Sequence, residues 1–354
     1  MVAAVIIGVF LLCAVAGGFL LFSMPFAALL GGASGAAAVG ETSLQEIVLE
    51  NNGARDKIAV IPVEGIIMGG GFDGGRAGMV RLVIDQLKLA ARDKHVKAVL
   101  LHVNSPGGEV LASDNIFSAI ERFQNEHKKP VIAAMGSVAA SGGYYVAAPC
   151  RWIVANELTI TGSIGVIMHT YNYRGLMNKV GLRPVVFKSG RFKDMLSGDK
   201  DLDNLSPAEK EEFNQEEAMI QKLITETFSR FKQVVGEGRQ SAYTRNQSNK
   251  SDASGRQLVN NWTNYADGRV FSGKEAFDYG FVDELGDWRV ATKRARTLAG
   301  IDSADLVTYQ PPFDLGNLFR LFGQAEAGTV KLDLGLDLPK LQSGMYYVAP
   351  AFLR

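Results

Sequence analysis

Ser141 stands between small residues and glycines, in the string GSVAASGGYY of residues 136–145. Two glycines directly after the serine allow a tight turn at the start of a helix. On such a turn the Ser141 hydroxyl can act as a nucleophile, and the backbone N–H of Gly142 can donate to an oxyanion that forms on a substrate. A closely packed helix start explains the string equally well when it is taken alone. Ser141 is therefore a candidate nucleophile that needs partners.

A second glycine turn, NSPGG at residues 104–108, follows a predicted strand at 96–103 and precedes a predicted helix. Taken alone, it is an ordinary turn about as often as a ligand site. Parallel neighbouring strands end at the same edge of a sheet, so the two glycine turns are expected to meet there. Gly108 and Gly142 then predict an oxyanion hole with two N–H donors.

The candidate base is Lys193, in the string KSGRFKD at 188–194, with apolar neighbours such as Phe192 and Met195. Its amine must be neutral to accept the serine proton, which requires a pKa about 2 to 3 units below the usual value near 10.4. A solvated surface lysine is the alternative for this string. Ser163, in TGSIG at 161–165, could hydrogen-bond and orient the amine, or could simply pack in a turn.

A histidine base is the weaker alternative. None of the histidines stands beside an acid in a local pattern typical of a triad, although triads are spatial rather than sequential. The four histidines are His95, His102, His127 and His169.

Composition narrows the classes of function. The chain of 354 residues is 47% hydrophobic, and its 37 basic and 37 acidic residues balance, so nothing points to nucleic acid as a partner. Its two cysteines, Cys13 and Cys150, form neither a disulfide framework nor a zinc-ligand spacing. The sequence therefore predicts no metal and no cofactor.

The amino-terminal segment carries no charge from residue 2 to residue 40. Residues 1–23 are long and apolar enough for a transmembrane helix, which would anchor the chain in a cell membrane as a single-pass protein. A cleavable signal peptide is the alternative, because small-residue sites follow. No basic flank is present to orient the anchor.

Short apolar runs alternate with helical patterns after a linker at 24–56. Predicted strands are at 57–62, 96–103, 130–135, 151–155 and 184–188, and predicted helices at 78–93 and 111–127. This alternation is typical of an α/β fold with a mainly parallel sheet.

A capping box at 206–209 predicts the start of a long helix, which glycines 236 and 238 are expected to end. Residues 240–267 read as a polar insert and 288–298 as a further helix. The predicted domain covers 57–300, and an extension at 301–354 ends in MYYVAPAFLR, apolar enough to dock on another surface.

Five motifs in this order resemble those of the SppA-type signal peptide peptidases, in the short form with a single catalytic domain. They are NSPGG, ASGGYY, TGSIGV, KSGRFKD and GRVFSGKEAFDYGFVDELG, and the resemblance covers about 57–298. It implies a ClpP/crotonase-like fold of repeated β-β-α/βα units with a mainly parallel sheet, preceded by one transmembrane helix. It also implies a membrane-anchored serine endopeptidase with an extracytoplasmic catalytic domain.

By this resemblance Ser141 is the nucleophile, Lys193 the general base, Ser163 its support, and Gly108 and Gly142 the oxyanion donors. The implied partners are peptides, namely signal-peptide remnants and unfolded chains, together with the membrane and further copies in a ring, typically of eight. Neighbouring copies in such a ring complete one another's sites.

Two other functions remain open at the level of sequence. A crotonase-type acyl-CoA enzyme could use the same oxyanion geometry, with Glu109 as the nearby carboxylate. A membrane scaffold that binds peptides without cleaving them could retain the same turns.

Overall fold

A sheet of mostly parallel strands forms the frame of the molecule. The computed structural model describes residues 44–70, 78–248, 254–312 and, for the backbone alone, 346–348. The strands are β1 (Gln45–Glu50), β2 (Lys57–Glu64), β3 (Val96–Ser105), β4 (Gly107–Glu109), β5 (Val131–Ala140), β6 (Trp152–Ala155), β7 (Ile160–Gly162), β8 (Val270–Ser272), β9 (Glu284–Leu285), β10 (Asp305–Gln310) and β11 (Tyr346–Val348).

The main sheet has the strand order β1-β10-β2-β3-β5-β6-β9, and β7 and β8 extend it from β5. Among these pairs, β1 runs antiparallel to β10 and β8 runs antiparallel to β7, while the others are parallel. The prediction of an α/β fold with a mainly parallel sheet is confirmed.

Helices cover both faces of this sheet. They are α1 (Met79–Arg92), α2 (Val110–His127), α3 (Gly142–Ala147), α4 (Arg174–Lys179), α5 (Pro207–Ser248), α6 (Gly273–Asp278) and α7 (Trp288–Ala299), with a 3₁₀ turn at Trp262–Tyr265. Alternate residues of each central strand face opposite sides. In β2, Ala59 and Ile61 join the core shared with α1, α2, α3 and α5, whereas Ile58 and Val60 join the core shared with α7.

The sheet reaches beyond the predicted domain limits on both sides. Strand β1 lies within the predicted linker, and β10 lies within the predicted carboxy-terminal extension, where it pairs with both β1 and β2. The predicted transmembrane helix at 1–23 falls outside the described residues. Within the described ranges, no helix combines the length and apolar character needed to span a bilayer.

The helix that begins at the predicted capping box is longer than expected. Ser206 and Glu209 form both capping hydrogen bonds, at 2.8 and 3.3 Å, as predicted. The expected end at glycines 236 and 238 is wrong, since α5 continues to Ser248. A Cβ atom at Gly238 would lie 2.6 Å from the carbonyl oxygen of Ala148. This glycine therefore allows close packing of the helix on the core rather than its termination.

The strand predicted at 184–188 is also wrong. This segment has no regular secondary structure and pairs with none of the described strands. Its apolar side chains face solvent, and the Phe187 residue is 94% exposed. The apolar run that suggested a buried strand instead belongs to an exposed arm, defined here as residues 171–200.

Candidate active site

Ser141 occupies a strained turn between β5 and α3. Its φ of +53° lies in the left-handed region, which costs a residue with a side chain of the order of 1 to 3 kcal/mol and is typical of functional sites. Two hydrogen bonds of 2.8 Å hold the turn: the Ser141 N–H donates to the Gly162 carbonyl oxygen, and the Tyr145 N–H donates to the Ser141 carbonyl oxygen. The surrounding backbone thus imposes the conformation that presents the hydroxyl.

The Ser141 hydroxyl is buried and unpartnered. The residue is only 1% exposed, and its Oγ makes no hydrogen bond within the described part of the chain. A buried polar group without a partner is costly and therefore uncommon in folded proteins. This oxygen is free to accept from or donate to a group that the described residues do not supply.

The two glycine turns lie side by side, as the sequence analysis expected. Ser105 at the end of β3 is in register with Ala139 near the end of β5. A Cβ atom at Gly142 would lie 3.1 Å from the Gly108 nitrogen and 2.7 Å from Ser113 Oγ. Glycine is therefore required at 142, and the two candidate oxyanion donors are close neighbours.

Close backbone packing also requires glycine at position 108. Its virtual Cβ would lie 1.9 Å from the Ile67 carbonyl oxygen, which accepts a 2.8 Å hydrogen bond from the Glu109 N–H. Sequence reasoning missed both Ile67 and Ser113. They touch the turns through the fold alone, and no local motif marked them.

Ser163 is brought next to the Ser141 turn. It directly follows Gly162, the residue whose carbonyl accepts from Ser141, and its own N–H donates to the Arg269 carbonyl at 2.7 Å. Like Ser141, Ser163 has a positive φ, of +51°, and is buried. Two serines in the left-handed region thus lie on adjacent turns at the carboxyl edge of the sheet.

Lys193 is not brought to Ser141. It lies in the exposed arm, its side chain faces solvent, and it forms no hydrogen bond or ion pair between side chains with any described residue. The candidate base and the candidate nucleophile thus both lack a side-chain partner among the residues that the structure describes.

Three other residues that could act as a base or nucleophile are already engaged. His102 pairs with Glu64 at 3.0 Å and packs edge-on against Trp288. The Glu109 carboxylate accepts a 2.8 Å hydrogen bond from the Gly69 N–H. Burial raises the pKa of the Cys150 thiol to about 12, so that it stays protonated in the core.

A chain segment already lies along β4, the strand that carries Gly108. Strand β11 pairs antiparallel with β4, and Tyr347 is the register partner of Gly108. The opposite side of Gly108 forms a parallel bridge with Ile67. The edge of β4 next to the candidate oxyanion hole can therefore accept an extended peptide by backbone pairing.

Comparisons with known proteins identify the family of this chain. The model of Peptidase family S49 matches residues 123–254, and that of Clp protease matches residues 64–151. A protein of Synechocystis named as a protease is 35% identical over 80% of this chain and 89% of its own length.

Two further relatives have more specific names. An Enterococcus faecium protein named as a signal peptide peptidase SppA is 32% identical over 77% of this chain and 72% of its own length. Protease 4 of Haemophilus influenzae is 34% identical over 71% of this chain, which corresponds to 36% of that protein. The chain therefore belongs to Peptidase family S49 and is a serine endopeptidase related to the SppA-type signal peptide peptidases.

Proposed function

We propose that this endopeptidase works with a Ser141/Lys193 dyad on a ClpP/crotonase-like frame. Lys193 Nζ takes the proton from Ser141 Oγ, and Oγ attacks the carbonyl carbon of a peptide bond. The N–H groups of Gly108 and Gly142 donate to the oxyanion, and the lysine returns the proton to the departing amine. Water then hydrolyses the acyl-enzyme. The buried, unpartnered Ser141 hydroxyl beside the two glycine turns carries this proposal.

The lysine that completes each site comes from a second copy of the chain. Two observations favour this: Ser141 is buried, and Lys193 of the same chain is exposed and has no side-chain partner among the described residues. Ser163 adjoins the serine turn. In this proposal its hydroxyl accepts a hydrogen bond from the Lys193 amine of the second copy and so orients that amine.

The exposed arm has the character of a surface that a second copy covers. Large apolar side chains face solvent along it: Tyr171, Tyr173, Leu176, Val180, Leu182, Val185, Val186 and Phe187. A contiguous exposed apolar stretch of this kind is typical of a protein–protein interface. Homo-oligomerisation into a ring, with eight copies as the expected number, would bury the arm and deliver Lys193 to a neighbour.

The proposed substrates are signal-peptide remnants and other unfolded or membrane-released peptides. An extended chain can pair with β4, whereas a folded one cannot reach a serine that is 1% exposed. The long uncharged, apolar segment at the amino terminus supports a location at a cell membrane. By the resemblance to the SppA-type peptidases, the proposed side for the catalytic domain is the extracytoplasmic one.

Labelling by a fluorophosphonate probe tests the proposed nucleophile. In the detergent-solubilised full-length protein, we expect the probe to modify Ser141 alone, as read by peptide mapping. Labelling should be much slower in Lys193→Ala, because the serine then lacks its base. Equal labelling of wild type and Ser141→Ala would reject the assignment.

Removal of the carboxy-terminal segment is expected to ease access to β4. In a variant that ends at Pro312, β11 no longer pairs with β4, so KM for an extended peptide should fall about 3- to 10-fold while kcat stays similar. Steady-state kinetics with a casein-derived peptide would measure this. An unchanged or higher KM would show that β11 does not compete with substrate.

A further inference from the structure

Six charged side chains form a compact cluster at the base of the exposed arm, around the turn that carries Lys193. Lys188 Nζ donates to both Asp194 carboxylate oxygens, at 2.9 and 3.0 Å, and to Glu212 at 3.3 Å. Arg191 donates to Glu212 at 3.2 Å. Lys200 lies 3.6 Å from Asp194 and also pairs with Glu216. Glu212 and Glu216 belong to α5, so the cluster ties the turn to that helix.

The three positive and three negative charges of this cluster balance, and Lys193 forms no ion pair with any of them. Carboxylate oxygens of Asp194, Glu212 and Glu216 lie within 4.8 Å of one another, a spacing that a metal cation could bridge. Each of them pairs with a lysine or an arginine, so positive charge is already supplied. Lys193, next to Asp194 in sequence, is the one basic residue between 188 and 200 that pairs with none of these carboxylates.

The cluster keeps the carboxylates of Asp194 and Glu212 ionised and paired with cations. Burial alone would raise the pKa of the Asp194 carboxyl, but the hydrogen bond from Lys188 and the charge of Lys200 hold it below the ordinary value. The hydrogen bond from Arg191, and then that from Lys188, lowers the pKa of Glu212. The hydrogen bond to Asp194 holds the pKa of the Lys188 amine above its usual range. At neutral pH these carboxylates are therefore charged and bound to cations other than Lys193.

From this geometry we infer that the ion-pair cluster positions the candidate base. The cluster fixes the turn on α5, and its carboxylates, which are already paired with other cations, do not form an ion pair with Lys193. A general-base lysine must lose its proton, and a carboxylate at its amine would oppose that loss. Lys188, Asp194 and Glu212 are thus positioning residues that act through Lys193. This inference rests on the proposed dyad.

Two substitutions that change the charge around Lys193 in opposite directions test the inference. Lys188→Met releases the negative charge of Asp194 and Glu212 beside Lys193, whereas Asp194→Asn removes the adjacent carboxylate and leaves Lys188 and Lys200 in excess. The other charged groups that face this turn, from the arm, α4 and α5, stay unchanged: Arg174, Arg191, Asp201, Glu209 and Glu216.

We expect the acid limb of the plot of kcat/KM against pH to move to higher pH in Lys188→Met, by about 0.5 to 1 pH unit. In Asp194→Asn the limb should move to lower pH. On that limb, one unit corresponds to about a tenfold change in rate at fixed pH. A merely structural role would lower activity in both variants without shifting the limb in opposite directions.

Amine labelling gives a readout that does not depend on activity. In the Ser141→Ala background, the rate at which acetic anhydride modifies Lys193, followed against pH by mass spectrometry, reports the titration of the amine itself. The same opposite shifts are expected there. Lys222→Met is the matched control, since Lys222 pairs with Glu226 at 3.9 Å on an exposed part of α5. Thermal melting checks that each variant is folded.

The outcomes separate the inference from the proposed function. An unshifted Lys193 titration in both variants overturns the inference even when Lys193→Ala is inactive. Shifts in labelling that the kcat/KM profile does not follow leave the cluster's effect on Lys193 in place and reject Lys193 as the base. Full activity of Lys193→Ala overturns both.

Discussion

Ser141→Ala is expected to abolish peptide cleavage, with a fall in kcat/KM of about 10⁴-fold or more. The alanine removes the proposed nucleophilic oxygen, while the two glycine turns remain as the proposed oxyanion hole for attack by water. Lys193→Ala should be impaired about as severely, because two residues that act as one unit are not additive. Cleavage of a fluorogenic peptide by the purified full-length protein measures both effects.

Mixing the two inactive variants tells whether the dyad forms between copies. A Ser141→Ala copy still offers Lys193, and a Lys193→Ala copy still offers Ser141, so co-assembled subunits should recover a substantial fraction of wild-type activity. Variants mixed after each has assembled separately serve as the control. If co-assembly recovers no activity although mixed oligomers form, the dyad lies within one chain. Retained activity of either variant alone would reject the mechanism.

Arg239→Met is expected to destabilise the fold by about 3 to 5 kcal/mol, the usual cost of removing one partner from a buried ion pair. Arg239 is 1% exposed and pairs with Asp283, and its Nη1 donates to the Cys150 carbonyl at 2.8 Å and the Ala148 carbonyl at 3.3 Å. The substitution leaves Asp283 charged and uncompensated in the core. Thermal and urea unfolding would measure the loss.

Two further variants decide whether charge is the cause. Arg269→Met breaks a half-exposed pair with Asp267 and should cost less than about 1 kcal/mol. Adding Asp283→Asn to Arg239→Met removes the uncompensated charge and retains an oxygen for the Ile153 N–H, which Asp283 accepts at 2.8 Å. The double variant should therefore be more stable than Arg239→Met. A double variant that is no more stable would assign the loss to packing.

The serine turn could be predicted from sequence because its determinants are local. Gly142 and Gly108 are required by close backbone approach, and each lies in a short glycine-containing string that directly follows a predicted strand. The strands that bring them together could also be predicted, since an apolar run bounded by turn residues is a strong signal for a buried strand.

The ion-pair cluster and the pairing of β11 with β4 could not be predicted from sequence, because both depend on contacts between residues far apart in the chain. Lys188 reaches Glu212 across 24 positions, and Tyr347 lies opposite Gly108 although they are far apart in the chain. The two failed element predictions have the same origin. Gly238 allows a close contact with Ala148 instead of ending a helix, and the apolar residues at 184–187 are not buried by the described part of the chain.

Helix α5 connects the serine to the arm that carries the lysine. Just past the middle of the helix, Phe231 packs on Tyr145, with ring centroids 4.9 Å apart, and fifteen residues earlier Glu216 pairs with Lys200. At 1.5 Å per residue these two contacts are about 22 Å apart along the helix axis. The helix is thus a spacer between the two groups of the proposed dyad within one chain. If the proposed dyad forms between copies, dilution is expected to switch the enzyme off, and its specific activity would report the fraction of copies that have assembled.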